Sequence, residues 1–580
     1  MNFKTIRLIA LLTSVSLALS TPAQQPVEIR QQALPGPAQV LWQDMEQTMF
    51  IHFDPATWQG SAYDNHSTPL SNINPAKLDV NQWIDVAESW GARMIIFVAK
   101  HVGGFCWWQT ETTDYSIKST PYKNGKGDVL AELSEACRNR GMKLGVYIYP
   151  GDESFGAYLG GGGRTKDSSK QEAYNQILRK QWTEVLSRTP GITEIWFDGS
   201  VIVPLEDIIR QYAPDAIVFQ GPFADIRWVG NEGGYAPYPA WNSIKCNDAT
   251  TGTATAAHGD PYGDCWMPVE VDVPLKNHDW FWSPTNYKNL RSIDELVQIY
   301  YKSVGRGCQL LLNAAPDTNG LIPPEDVDLY KQLGEEIKKR FGKSIAETSG
   351  KGNIVQLDFG LPVNVDHLIL QEDIVFGERV RRYVIEGRTD DDWFHITSGI
   401  SIGHKRIEQF KPVNVKQIRL RVTESNLPPV IKRMAAFYVN DPRVYDSSDP
   451  LRDDLGNLWI KGQQKVETKE EKVAQLNDIV NPDGTFEADL SSFILLPGQY
   501  KIVLKNVNSG KEGTIENGKL ILMGTETPGL SSATDEGQSY LINITAFPKM
   551  EPGSIKFSGK VSPTCRFNET GLYIKEIKFE

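Results

Sequence analysis

Cysteine is scarce in this chain. Its six residues, Cys106, Cys137, Cys246, Cys265, Cys308 and Cys565, form neither a CxxC pair nor a Cys/His cluster of zinc spacing, which argues against a structural metal. Cys246 and Cys265 could close a loop, and free buried thiols account for them equally well. Basic residues have no excess: 60 Lys and Arg stand against 72 Asp and Glu, for a net charge of −12. A nucleic-acid-binding surface is therefore not expected for the chain as a whole. Solenoid-spaced repeats, low-complexity tracts and, beyond the first residues, membrane-length apolar runs are also missing. What is present is an ordinary globular composition, 40% hydrophobic and 23% charged. At 580 residues it is too long for one core. The 15 Trp and 21 Tyr are the unusual feature, since aromatics line sugar clefts as well as filling cores.

Residues 1–23 read as an export signal: Lys4 and Arg7 precede the apolar LIALLTSVSLALS, with a small-residue cleavage site after Ala23. The expected endpoint is the periplasm or the medium. Over 24–343, strand-like and helix-like segments alternate. MIIFVAK (94–100), KLGVYIYP (143–150) and QLLLNAAP (309–316) are continuous apolar runs of the kind buried on both faces. Between them lie helical periods such as LDVNQWIDVAESW (78–90). The series predicts an α/β fold with a TIM-like (β/α)₈ barrel. Short alternating strands then predict a β-sandwich over 344–441 and a second β-rich domain over 442–580.

His52, His101, Asp152 and Asp198 fall at or just past the C-terminal ends of successive apolar strands, where barrel active sites lie. Asp198 follows the strand-like Ile-Trp-Phe in EIWFDG, just before Gly199; a turn or N-cap aspartate would also suit that position. Glu232, in DIRWVGNEGG, is expected in a glycine-rich loop after strand five, beside Trp228. A solvated loop glutamate is the plainer account of it. Together, two carboxylates at neighbouring strand ends match what glycoside hydrolysis requires, one as nucleophile and one as acid/base. Glu270, Asp272, His278 and Asp279 lie in the aromatic-rich 265–284 stretch, with Glu270 and Asp272 expected to orient neighbours at strand six.

The stretches FIHFDPATWQG, MIIFVAKHVGGFCWW, EIWFDGS, DIRWVGNEGGYA and LLLNAAPDTNG resemble, in order, α-L-fucosidases of glycoside hydrolase family 29, and within them the branch that prefers α-1,3/1,4-linked fucose. The resemblance covers about 40–342, and the following sandwich resembles a discoidin-like (F5/8 type C) module. It implies a retaining exo-hydrolase acting on fucosylated oligosaccharides or glycoconjugates, needing no cofactor and no metal. It further implies Asp198 as nucleophile, Glu232 as acid/base, and His52, His101, Trp107, Asp152, Trp228, Lys276 and Trp282 as sugar contacts. Trp108 and Tyr149 are expected to be packing residues.

The chain departs from the family pattern in three places. Val102 stands where many relatives have a second histidine, and Tyr149-Pro150-Gly151-Asp152 lacks a tryptophan. Where relatives often have an arginine this chain offers Lys276 or no cation at all, and lysine cannot reproduce a two-pronged arginine contact. L-Galactose differs from L-fucose by one hydroxyl, so an α-L-galactoside is the first alternative substrate. A catalytically dead glycan-binding protein is the second. The β-domains are read as packing struts or as glycan binders, with the strut favoured because 345–441 shows no aromatic row.

Overall fold

The computed structural model describes residues 32–246 and 258–446, apart from 391 and 444, and most strands of 465–579. The expected signal segment and Cys565 lie outside the described residues. Eight strands form one sheet: β1 (Gln47–Ile51), β2 (Met94–Lys100), β3 (Lys143–Ile148), β4 (Ile192–Trp196), β5 (Ile217–Phe219), β6 (Arg227–Trp228), β7 (Val269–Pro274) and β8 (Gln309–Ala314). Their order is β5-β4-β3-β2-β1-β8-β7-β6, parallel throughout. A parallel bridge from Phe219 to Ile226 joins the two outer strands, so the barrel is all but closed. One expectation is corrected. The two-residue β6 is too short to show strand alternation in sequence, and it shifts the count. Glu232 therefore follows strand six, and Glu270 and Asp272 stand on strand seven.

The apolar runs are buried on both faces because alternate residues serve different cores. Ile95, Phe97, Ala99, Val146, Ile148, Ile195, Val271 and Leu312 face the surrounding helices, where Trp83, Leu133, Leu178 and Trp182 meet them. Phe50, Ile96, Val98, Tyr147, Trp196, Phe219 and Leu311 fill the barrel interior. Local signals set the helix ends. Asp79 caps α2 (Val80–Ser89) by accepting from Asn81 N, and Asp128 caps α3 (Val129–Arg140) by accepting from Ala131 N. Gly141, with φ +72°, then stops α3. The preceding helix, α1 (Pro37–Gln43), drives Trp42 into the barrel floor, where its indole N–H donates to Glu194 at 2.6 Å.

Beyond the barrel, an antiparallel six-stranded sheet runs in the order β9-β14-β10-β13-β11-β12. Its strands are β9 (Ala346–Lys351), β10 (Ile354–Glu372), β11 (Val380–Arg388), β12 (Trp393–Gly399), β13 (Arg406–Ser425) and β14 (Val430–Phe437). The 19-residue β10 crosses register shifts at Asp358/Val363 and Val365/His367 instead of turning. Buried polar contacts hold this sheet to the barrel. Arg306 and Arg406 share Asp446, Asn242 donates to Glu378, and Tyr238 donates to the Ser401 carbonyl. The described strands of 465–579 form two further antiparallel sheets. Cys246 and Cys265 are disulfide-bonded, whereas Cys106, Cys137 and Cys308 are buried free thiols, so each of the two cysteine readings applies to part of the set. No helix among the described residues is long and apolar enough to cross a membrane.

Candidate active site

Asp198 lies two residues beyond β4, and Tyr147 of β3 donates its hydroxyl to Asp198 Oδ2 at 3.1 Å. Asp198 is exposed to solvent, although its neighbours Phe197 and Tyr147 are buried. Desolvation is the largest influence on its carboxyl, opposed by the Tyr147 hydrogen bond and reinforced by the nearby Glu232 charge. Together they push its pKa up to about 6. Glu232, four residues past β6, is exposed, and its Oε2 accepts the Trp280 indole N–H at 3.1 Å. The Glu232 charge is near enough to bear on Asp198, and Glu232's aromatic partner is Trp280.

His52 and His101 directly follow β1 and β2 and meet edge-on, with ring centroids 6.3 Å apart at 69°. Both are nearly buried. Asn313 Nδ2 donates to the Trp280 carbonyl at 2.8 Å, which turns Asn313 Oδ1 towards His52 Nδ1 at 2.7 Å. Nδ1 must then carry the proton, leaving Nε2 as an acceptor. Burial first, and His101 second, hold the His52 pKa down to about 3, and burial holds that of His101 down to about 4. Both rings are thus neutral near pH 7, suited to hydroxyl groups rather than anions. His101 Nδ1 is buried without a partner in the protein, a polar atom left for something else to satisfy.

Three expected sugar contacts are not at this surface. Trp107 is fully buried, stacked on Phe53 at 4.4 Å, with its N–H given to the Phe53 carbonyl at 2.5 Å, so no face of it is left for a ligand. Asp152 is buried too: it accepts from Ser154 Oγ at 2.6 Å and Phe155 N at 3.1 Å and lies 3.6 Å from Lys100 Nζ, organising the loop after β3. Gly104 follows from that role. Its φ is +94°, and a Cβ there would collide with the Asp152 carboxylate. Lys276 is buried in an ion pair with Asp326 of helix α7 (Pro324–Phe341), so its ammonium is committed to the barrel wall. Trp228 and Trp282 are half-buried, and Trp228 donates to Asp272 at 2.6 Å. Trp108, which donates to Glu184, and Tyr149 are packing residues as expected.

Tyr147, Trp280 and Asn313 were not foreseen. The parity of KLGVYIYP offered a clue for Tyr147, because residues two apart in a buried strand share a face. The partners of Trp280 and Asn313 depend on barrel closure and carried no local signal. Inside the barrel, Trp42, Trp196 and Trp228 donate to Glu194, Glu270 and Asp272 respectively. Burial pushes the Glu194 pKa up to about 8 and raises those of Glu270 and Asp272 well above the carboxylate range. These acids are neutral hydrogen-bonding posts, in keeping with the orienting role expected of Glu270 and Asp272. Among the described residues, the one cluster of potential metal ligands is Cys246, Asp264 and Cys265, whose two sulfurs are already joined.

A parallel barrel whose C-terminal mouth gathers two carboxylates, neutral histidines and aromatic rings has the equipment of a barrel glycoside hydrolase. The α-L-fucosidase family model matches residues 32–340, and the chain belongs to that family, glycoside hydrolase family 29. α-L-Fucosidase 1 of Arabidopsis thaliana is 30% identical over 454 residues, covering 70% of this chain and 87% of the relative. A solved Bacteroides thetaiotaomicron structure assigned to the α-L-fucosidases is 31% identical with a TM-score of 0.66, covering 70% of this chain and 99% of that one. A family 29 structure from an unknown rumen bacterium is 25% identical with a TM-score of 0.62, and spans 95% of this chain and all of that one.

Proposed function

We propose that this family 29 hydrolase is an exported exo-α-L-fucosidase that removes terminal α-1,3/1,4-linked L-fucose from branched oligosaccharides or glycoconjugates. Asp198 is the nucleophile: it attacks the anomeric carbon as Glu232 protonates the departing oxygen. Glu232, now a base, then activates the water that releases fucose with retained configuration. His52 and His101 bind fucose hydroxyls as neutral rings, with His52 Nε2 as acceptor. The observation that carries the reading is the shared mouth. Tyr147, which holds Asp198, lies against both histidines, and Trp280, which holds Glu232, lies against His52, which supports a common site for the two carboxylates.

The linkage preference and export rest on the motif resemblance and the N-terminal signal pattern. The domain division at 343 and 441, and a discoidin-like character for 344–441, belong to the same reading. The Lys276 departure lends no support to an α-L-galactoside, because that lysine is sealed in its pair with Asp326. The test is fucose release from a Lewis-type trisaccharide, compared with α-1,2- and α-1,6-linked fucosides. Asp198→Asn is expected to lower turnover by more than about 10³-fold. Full activity in that variant would remove the assignment of Asp198, and an α-1,2 or α-1,6 preference would remove the linkage.

A further inference from the structure

The loop after β1 presents a ring that the proposed mechanism does not use. Tyr63 is 49% exposed, although it sits in a firmly anchored segment. Its neighbour Asp64 is buried: Oδ1 accepts from Gln59 Nε2 at 2.7 Å and His66 N at 2.9 Å, and Oδ2 accepts from the Tyr115 hydroxyl at 2.5 Å. Gln59 Oε1 accepts from Asn65 N at 2.9 Å, and His66 bonds the Gly103 carbonyl through Nε2 at 2.8 Å. A loop pinned on both sides of one exposed tyrosine holds that ring in place before any ligand arrives.

The ring lies nearly parallel to His101, 5.8 Å away at 21°. It is also close enough to both candidate catalytic carboxylates to feel them. Burial, then the Asp198 charge, then the Glu232 charge hold its phenol above the ordinary tyrosine value, so it stays neutral. His101 is only 7% exposed and lies deeper, while Tyr63 stacks on its outer side with half its surface open, so the ring stands between the histidines assigned to fucose and the solvent into which the leaving group projects. Exposed aromatic faces at such a position suit the apolar face of a pyranose ring.

Resting on the fucosidase reading above, we infer that Tyr63 is a specificity-determining residue, a fixed aromatic platform for the sugar from which fucose is cleaved. The platform acts only when the leaving group carries a ring. Fucosyl fluoride, whose leaving group is a single atom, is therefore the internal control. Tyr63→Ala is expected to lower kcat/KM for a fucosylated trisaccharide about three- to tenfold while changing that for α-L-fucosyl fluoride less than about twofold. Tyr63→Phe, which keeps the ring and removes the hydroxyl, should stay within about twofold of wild type on both. Equal losses on the two substrates would place Tyr63 against fucose itself and overturn the inference, as would no loss on the trisaccharide. A trisaccharide loss in Tyr63→Phe as large as in Tyr63→Ala would assign the effect to the hydroxyl and likewise overturn it. Wild-type protein that releases fucose from neither substrate would instead overturn the functional reading beneath it.

Discussion

Replacing Tyr147 by Phe removes the hydroxyl that donates to Asp198 Oδ2 at 3.1 Å and leaves the ring in its place between Phe50 and Trp196. That bond favours the ionised carboxylate, so its loss raises the Asp198 pKa from its position at about 6. A hydrogen bond to a charged group contributes roughly 1.5–3 kcal/mol, and one pH unit corresponds to about 1.4 kcal/mol. Solvent reaches Asp198, which puts the effect at the lower end, an upward move of about one pH unit. With Asp198 as the proposed nucleophile, the acid limb of kcat/KM reports its ionisation in the free enzyme and should shift from near pH 6 to about pH 7. At pH 5.5 the variant would then run about eightfold below wild type from ionisation alone, and at pH 8 the two would differ little from this cause. A kcat/KM profile over pH 4.5–9 reads the shift directly. An acid limb that stays put, or moves down, would refute the argument that Tyr147 holds Asp198 ionised.

Glu194, with its pKa pushed up to about 8, stays protonated in the fold over a range where the unfolded chain ionises, so it costs stability as pH rises from about 4.5 to 8. Glu194→Gln keeps an acceptor for Trp42 and a donor towards Glu270; its denaturant stability should gain steadily on wild type as pH rises across that window, and parallel curves would contradict it. Lys276→Met leaves Asp326 buried without its partner and should destabilise the protein by about 3–5 kcal/mol. The folded variant should keep the wild-type KM; a raised KM with an unchanged melting temperature would return Lys276 to the sugar site.

Much of the architecture was legible because it is local. The MIIFVAK run became β2 without adjustment, and the helix read at 78–90 formed over 80–89 behind its Asp79 cap. His52, His101 and Asp198 stand out in sequence because strand ends in a repeated βα pattern point to one mouth, and they do lie just past β1, β2 and β4. Other features needed the closed chain. Trp107 and Trp280 are both tryptophans in aromatic stretches, yet one is sealed against Phe53 and the other reaches Glu232, 48 residues away in sequence. Lys276 has the charge for a sugar contact, but its partner Asp326 lies 50 residues on, at the start of α7. Glu194, Glu270 and Asp272 look like ordinary charges in sequence and become neutral posts only where barrel closure strips away water and supplies three indole donors. The longer strands, the helices and their caps could be read from the sequence, because periodicity and capping are properties of neighbouring residues, whereas the two-residue β6 could not. Which side chains are sealed, which stay open to a ligand and which carboxylates keep their charge was decided by the tertiary structure alone, because burial and partnership belong to residues that meet only when the barrel closes.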